Sequence, residues 1–185
     1  MARTGTQTAS ISDIAKRTGF GDIVTLGSRG DFSGALEGSI TYFLVHRHLS
    51  DEVMSAVIRS IRSNADDQVR FAPVIVFADD GPVENYLRYI HLGFDDVIVL
   101  PERRTMLVQR LTGALRGEHV YVETDRYFGP DRRRMENPEQ TDPRRSSIPH
   151  SHRKYVFTRS FGRGVRIVRT EIFARTISAG PGIPL

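Results

Sequence analysis

Cysteine is absent from the 185 residues. That excludes disulfides, thiolate metal centres and a cysteine nucleophile. Long apolar runs are absent too: stretches such as residues 97–100 fall far short of the ~20 residues that span a bilayer. Residues 1–10 are small and polar, without the apolar stretch of a secretory leader. The cytoplasm is therefore the expected compartment, with no membrane partner. Lysine is nearly missing, with only Lys16 and Lys154. No Gly-x-x-x-x-Gly-Lys phosphate loop occurs, and no Gly-x-Gly-x-x-Gly follows a strand-like run; Gly27-Ser-Arg-Gly30 is too short to stand for either. No internal repeat is visible.

What is present is an ordinary soluble composition, 39% hydrophobic and 26% charged, which argues against a wholly disordered chain. Basic residues number 26 against 22 acidic, and the excess is confined to one end. Residues 121–185 hold 13 basic and 7 acidic residues; residues 1–120 hold 13 and 15. Arginine offers a planar fork that binds phosphate or carboxylate through two parallel hydrogen bonds. The C-terminal third is thus a candidate anion-binding element, the alternative being a compositional bias toward arginine.

The pattern predicts alternating strands and helices. Residues 1–9 are expected to be disordered and residues 13–18 a short helix stopped by Gly19. Residues 22–27 read as a strand, residues 31–37 as a short helix, and residues 39–45 as a strand covered on both faces. Val53, Met54, Val57, Ile58 and Ile61 recur at helical spacing over residues 51–64, with Arg59, Arg62 and Ser63 assigned to the opposite face. Residues 73–77 are a second buried strand. Residues 82–92 are a helix with Pro82 at its start and Gly93 after its end. Residues 97–100 are a third buried strand, ended by Pro101. Residues 102–115 are a helix with a stripe of Met106, Leu107, Leu111, Ala114 and Leu115. Such alternation implies an α/β unit with a parallel sheet. Four prolines among arginines mark residues 118–150 as a linker. Residues 151–185 are a β-hairpin, turning at residues 160–164, and a tail.

Three segments carry a family likeness. They are Tyr42-Phe-Leu-Val-His-Arg-His-Leu-Ser-Asp51, Phe71-Ala-Pro-Val-Ile-Val-Phe-Ala78 and Leu92-Gly-Phe-Asp-Asp-Val-Ile-Val-Leu-Pro101. With their spacing they resemble the receiver domain of bacterial response regulators, the last matching that family's Ala-Gly-Ala-Asp-Asp-Tyr-Leu-x-Lys-Pro. The resemblance implies a CheY-like, flavodoxin-like doubly wound parallel sheet over residues 10–117, and a cis Leu100–Pro101 peptide. The family's first strand has no counterpart before Ser10. Its loss would leave unpaired backbone in mid-sheet, unless flanking strands close up, the C-terminal hairpin fills or extends the sheet, or a partner supplies a strand. A sheet rearranged around the C-terminal segment is the expectation.

The likeness fails at the chemistry. His46 stands where the phospho-accepting aspartate would be, Ala78 where the hydroxyl would be, and Leu100 where the lysine would be. The metal-holding acidic pair is missing. Aspartyl phosphorylation needs a carboxylate nucleophile, a carboxylate-held cation and donors for the product, acting together. The resemblance therefore implies a pseudo-receiver: a non-enzymatic adaptor with no cofactor and no metal. Its partner protein, or a second copy, would use the fourth-helix, fifth-strand, fifth-helix face: Tyr86, Tyr89, Val97, Val99, Arg103, Arg104 and Val108. An alternative is a sensor of nucleotide or nucleic-acid phosphate, using Arg132, Arg133, Arg134, Arg144, Arg145, Arg163 and Arg166, with Tyr155, Phe157 and Phe161 for stacking. A third is a phosphorylated receiver with Asp51 or Asp79 as acceptor. Tyr127 and Phe128 are expected to anchor the basic segment, with Gly129-Pro130 as a turn. His46 and His48, two apart on a strand, face one way and suit a shared metal, although replacement at a silent phosphosite explains His46 more simply. His150-Ser-His152 is a weaker metal candidate. Asp79-Asp80 is a candidate ligand site, whereas turn geometry accounts for Asp95-Asp96.

Overall fold

A computed structural model describes residues 3–23, 40–46, 48–131 and 151–173. Three parallel strands, β1 (Phe43–His46), β2 (Val74–Asp79) and β3 (Asp96–Leu100), lie in the order β1-β2-β3. The central strand reads Val-Ile-Val-Phe-Ala before its terminal aspartate and is buried on both faces, as a near-continuous apolar run requires. Its pleat sorts the core. Val74, Val76 and Ala78 meet Met54, Ile58 and Ile61 of α2 (Asp51–Arg62) and Tyr89 of α4 (Val83–Leu92). Ile75 and Phe77 meet Leu107 and Leu111 of α5 (Arg104–Gly113), with Ile11 and Ile14 of α1 (Arg3–Thr18) packed alongside.

Local chemistry sets the helix ends. Ser50 Oγ accepts from the Val53 amide, and Asp51 and Glu52 oppose the positive end of the α2 dipole. Gly93 ends α4 at φ 110°, a left-handed conformation that glycine adopts without a Cβ penalty. Asp66 caps the single turn α3 (Asp67–Arg70) through the Gln68 amide.

A separate antiparallel sheet follows, ordered β5-β4-β6-β7: β4 (Glu118–Glu123), β5 (Phe128–Pro130), β6 (His152–Ser160) and β7 (Gly164–Phe173). Phe71, just past α3, plugs its inner face. Its ring centroid lies 4.8 Å from Phe157, 5.4 Å from Tyr155 and 5.7 Å from Tyr121. Gln68 joins α3 to the hairpin: Val165 N donates to Oε1 at 2.7 Å, and Nε2 donates to Val165 O at 3.0 Å. The amide thus copies one rung of a β-ladder. Gly164 (φ 64°) is required there, since a Cβ would strike the Gln68 carboxamide.

Several expectations are corrected. Residues 3–9 are helical, because a helix fixed by Ile11, Ile14 and Ala15 extends cheaply once nucleated. The first parallel strand begins at Phe43, and α5 is shorter than expected, with Met106 exposed. Residues 118–130 belong to the second sheet and not to a linker. Val120, Tyr121 and Val122 are strong strand formers, and Gly129-Pro130 pairs in β5. The hairpin neither fills nor extends the parallel sheet. Its strands satisfy one another and β4, leaving their inner face for Phe71. No first strand of receiver type occurs among the described residues. The strand expected over 22–27 falls almost wholly outside them, as do the helix over 31–37 and most of the Pro/Arg-rich segment. No helix among the described residues is long and apolar enough to cross a membrane.

Candidate functional site

Two places merit scrutiny: the rim formed by the C-terminal ends of the parallel strands, and the seam between the sheets. At the rim, His46 pairs with Phe77 in register, Ala78 with Val99, and Leu100 with Asp79. The three expected positions thus lie at or next to the ends of adjacent strands, with Ala78 one residue before the end of β2, yet the pleat divides them. Ala78 packs on the α2–α4 side and Leu100 on the α1–α5 side. A groove of about 420 Å³ opens beside Leu100, between Ile14, Arg17, Asp79, Arg104 and Leu107. His46 and Ala78 are not among its lining residues. Arg104 Nε donates to Arg17 O at 2.7 Å, tying α5 to the end of α1. Asp80 accepts from Gly81 N and the Tyr86 hydroxyl, while Asp79 is exposed at the groove. The Leu100–Pro101 peptide is cis.

Receiver chemistry implies a divalent cation, and the residues present do not fit one. Ala78 and Leu100 offer no donor. No group of three or more His, Asp or Glu among the described residues is placed to hold a metal. The histidine pair differs from expectation as well. The strand ends at His46, His48 lies in the turn after it, and their Nδ1 atoms converge to 2.8 Å.

The seam holds the most concentrated charge in the interior. Asp95, at the entrance to β3, accepts from Arg62 (2.8 Å) and Val74 N (2.8 Å) on Oδ2, and from Arg159 (2.9 Å) and Tyr121 (2.7 Å) on Oδ1. The side chains of Arg62 and Arg159 are 3% and 1% exposed. Arg62 also donates to Arg70 O and Ala72 O, and Arg159 to Phe71 O and the Tyr121 hydroxyl. Burial alone would push the Asp95 carboxyl up. The Arg159 and Arg62 guanidiniums, with the Tyr121 and Val74 hydrogen bonds, outweigh it and hold the group below the usual carboxylate range. Beside them His119 is driven down to about 4, by burial first and then by the Arg159 charge. Its Nε2 is buried with no hydrogen-bond partner among the described residues. Arg62 Nε is also buried with no hydrogen-bond partner among the described residues, but both Asp95 oxygens and the terminal nitrogens of the two guanidiniums are bonded, so the arrangement acts as a structural lock.

These groups correct the sequence reading. Arg62, expected on the polar face of its helix, and Arg159, within the arginine-rich C-terminal third, are both buried. Turn geometry alone does not account for Asp95, which accepts four hydrogen bonds. The signals existed: Arg62 follows Met54 and Ile58 at steps of four, and Arg159 follows Tyr155 and Phe157 at steps of two. Each stands where the period places a core residue. Tyr155 and Phe157 are likewise core and unavailable for stacking, whereas Phe161 is 71% exposed. Phe128 joins the aromatic cluster as expected, and the Tyr127 hydroxyl donates to Pro130 O.

Of the interface candidates, Tyr89 and Val97 are buried, Tyr86, Val99 and Val108 half-buried, and Arg103 and Arg104 exposed. Tyr89 and Val97 serve the core because α4 packs their face onto β2 and β3. Of the anion-binding candidates, Arg163 and Arg166 are exposed on the hairpin. Arg132, Arg133, Arg134, Arg144 and Arg145 lie outside the described residues, as does His150.

No protein-family model and no curated protein matches the chain. Among solved structures, it is similar to the signal receiver domain of a signal transduction histidine kinase from Syntrophus aciditrophicus. That match has 20% identity and a TM-score of 0.43, over 60% of this chain and 83% of the other. It is also similar to the phosphorylated cyanobacterial phytochrome response regulator RcpA, at 18% identity and a TM-score of 0.39, over 57% and 83%. These are modest structural similarities to receiver domains.

Proposed function

We propose that the chain is a receiver-like signalling module that acts through protein contacts, without aspartyl phosphorylation. The observation that carries this reading is what stands at the three matched positions: the His46 imidazole that ends β1, the Ala78 methyl one residue before the Asp79 that ends β2, and the Leu100 isobutyl group that ends β3. An acyl phosphate forms only on a carboxylate. The methyl and isobutyl groups neither bind a cation nor donate to a phosphoryl oxygen. Asp79 and Glu102 are the carboxylates that line the groove with Arg104, and Asp51 is engaged by Arg88 at 3.2 Å.

The surface proposed for the partner is the exposed part of the α4–β3–α5 face. Arg103 and Arg104 supply charge there, Leu87 and Met106 supply apolar area, and Tyr86, Val99 and Val108 lie half-buried. The test is incubation of the full chain with acetyl phosphate and Mg²⁺, followed by intact mass measurement. No adduct is expected. A single gain of ~80 Da, lost in Asp79→Asn or Asp51→Asn, overturns the reading.

A further inference from the structure

His46, at the end of β1, has a second histidine beside it, His48. His46 ends β1, and the chain turns so that the His48 ring tilts against it, with centroids 4.4 Å apart. The two Nδ1 atoms approach to 2.8 Å, and the His48 backbone N–H also points at His46 Nδ1, at 3.3 Å. His46 Nδ1 is therefore the acceptor and carries a lone pair. In the metal-free chain His48 Nδ1 carries the proton that bridges the pair. With that proton on Nε2 instead, each Nδ1 carries a lone pair, and the two nitrogens stand within reach of one ion. The cost of desolvating a bound ion there is small, since His48 is exposed and His46 half-exposed.

The separation of the nitrogens selects the ion. A metal ~2.0–2.1 Å from each imidazole nitrogen and bridging 2.8 Å subtends an angle of about 85–90°. A tetrahedral ion at the same bond lengths needs nitrogens about 3.3 Å apart. A right-angle bite on nitrogen donors belongs to tetragonal Cu(II) or Ni(II). We propose that His46 and His48 form a bidentate site for a tetragonal divalent transition ion, Cu(II) or Ni(II), with water in the remaining positions. The site shares His46 with the signalling proposal, but its test reads metal binding and not phosphoryl transfer, so the two can fail separately.

The test uses the full chain and the metal alone, Cu(II) or Ni(II) in a non-chelating buffer, followed by calorimetry. Electron paramagnetic resonance then counts the nitrogens on Cu(II). One equivalent should bind, with a tetragonal spectrum and two nitrogens. His48→Gln changes an exposed turn residue and should reduce affinity by roughly 100-fold or more, as loss of one arm of a chelate does. It should leave one nitrogen on the copper. His150→Gln with His152→Gln, the other His-x-His in the chain, should change neither readout. The proposal fails if His48→Gln binds like the parent chain. It also fails if the His150/His152 pair abolishes binding, or if the two-nitrogen spectrum survives in His46→Gln/His48→Gln.

Discussion

The two sheets are built on opposite principles. The parallel sheet encloses β2 in hydrocarbon: residues 74–78 are apolar and at most 3% exposed, and helices cover both faces. The antiparallel sheet has an aromatic core on one side only, and it meets the rest of the chain across a buried carboxylate and two buried guanidiniums. Hydrocarbon burial is forgiving, because its energy follows area and neighbours partly relax. Buried charge is not. Desolvation is offset only while every partner is in place, so removing one member exposes the full cost of the others. The C-terminal sheet is thus held by an all-or-none lock, not by an extension of the first core.

The sharpest way to break this contrast is Asp95→Ala, which strands two guanidiniums. It should cost about 3–5 kcal/mol, read as a shifted midpoint in urea. The triple replacement Arg62→Met/Asp95→Leu/Arg159→Met should recover most of that loss, since a buried triad replaced by apolar groups is often neutral or better. If the triple variant is no more stable than Asp95→Ala, the lock is not electrostatic.

Tyr121→Phe removes one hydroxyl that bonds both Asp95 and Arg159. About 1–3 kcal/mol should be lost in the same measurement. The pH dependence comes next. His119 stays neutral when folded down to about 4, against 6.5 ordinarily. Between those values the unfolded chain binds a proton that the folded chain refuses, so stability falls as pH falls through that window. His119→Gln should flatten that slope while leaving stability near pH 8 little changed. The Asp95 contribution has the same sign at lower pH. It is complete above the unfolded carboxylate range and is lost as pH falls through the depressed folded value. The smallest effect belongs to the outer strand. Arg169, 53% exposed and paired with Glu171 and Glu118, should yield under about 1 kcal/mol on replacement by Ala.

Much of the parallel half was legible because hydrocarbon announces itself by period. Four-residue steps through Met54 and Ile58 marked α2, and the run before Asp79 marked a strand buried on both faces. The C-terminal hairpin was legible by the same alternation. The strands around Tyr121 and Phe128 were missed because prolines and arginines further along coloured the whole stretch as linker. The lock is hidden in the sequence because arginine is ordinarily a surface residue, yet Arg62 and Arg159 stand where the period demands core. The approach of His46 and His48 depends on a turn after the strand, and pairwise spacing alone placed both on the strand.

The order of helices and strands was written in the chain by itself, since period, caps and breakers act over a few residues and need no distant partner. Which buried charges meet was decided only in three dimensions. Arg62, Asp95, Tyr121 and Arg159 are spread over nearly a hundred positions, and a guanidinium is stable in the interior only once folding has carried a carboxylate to it.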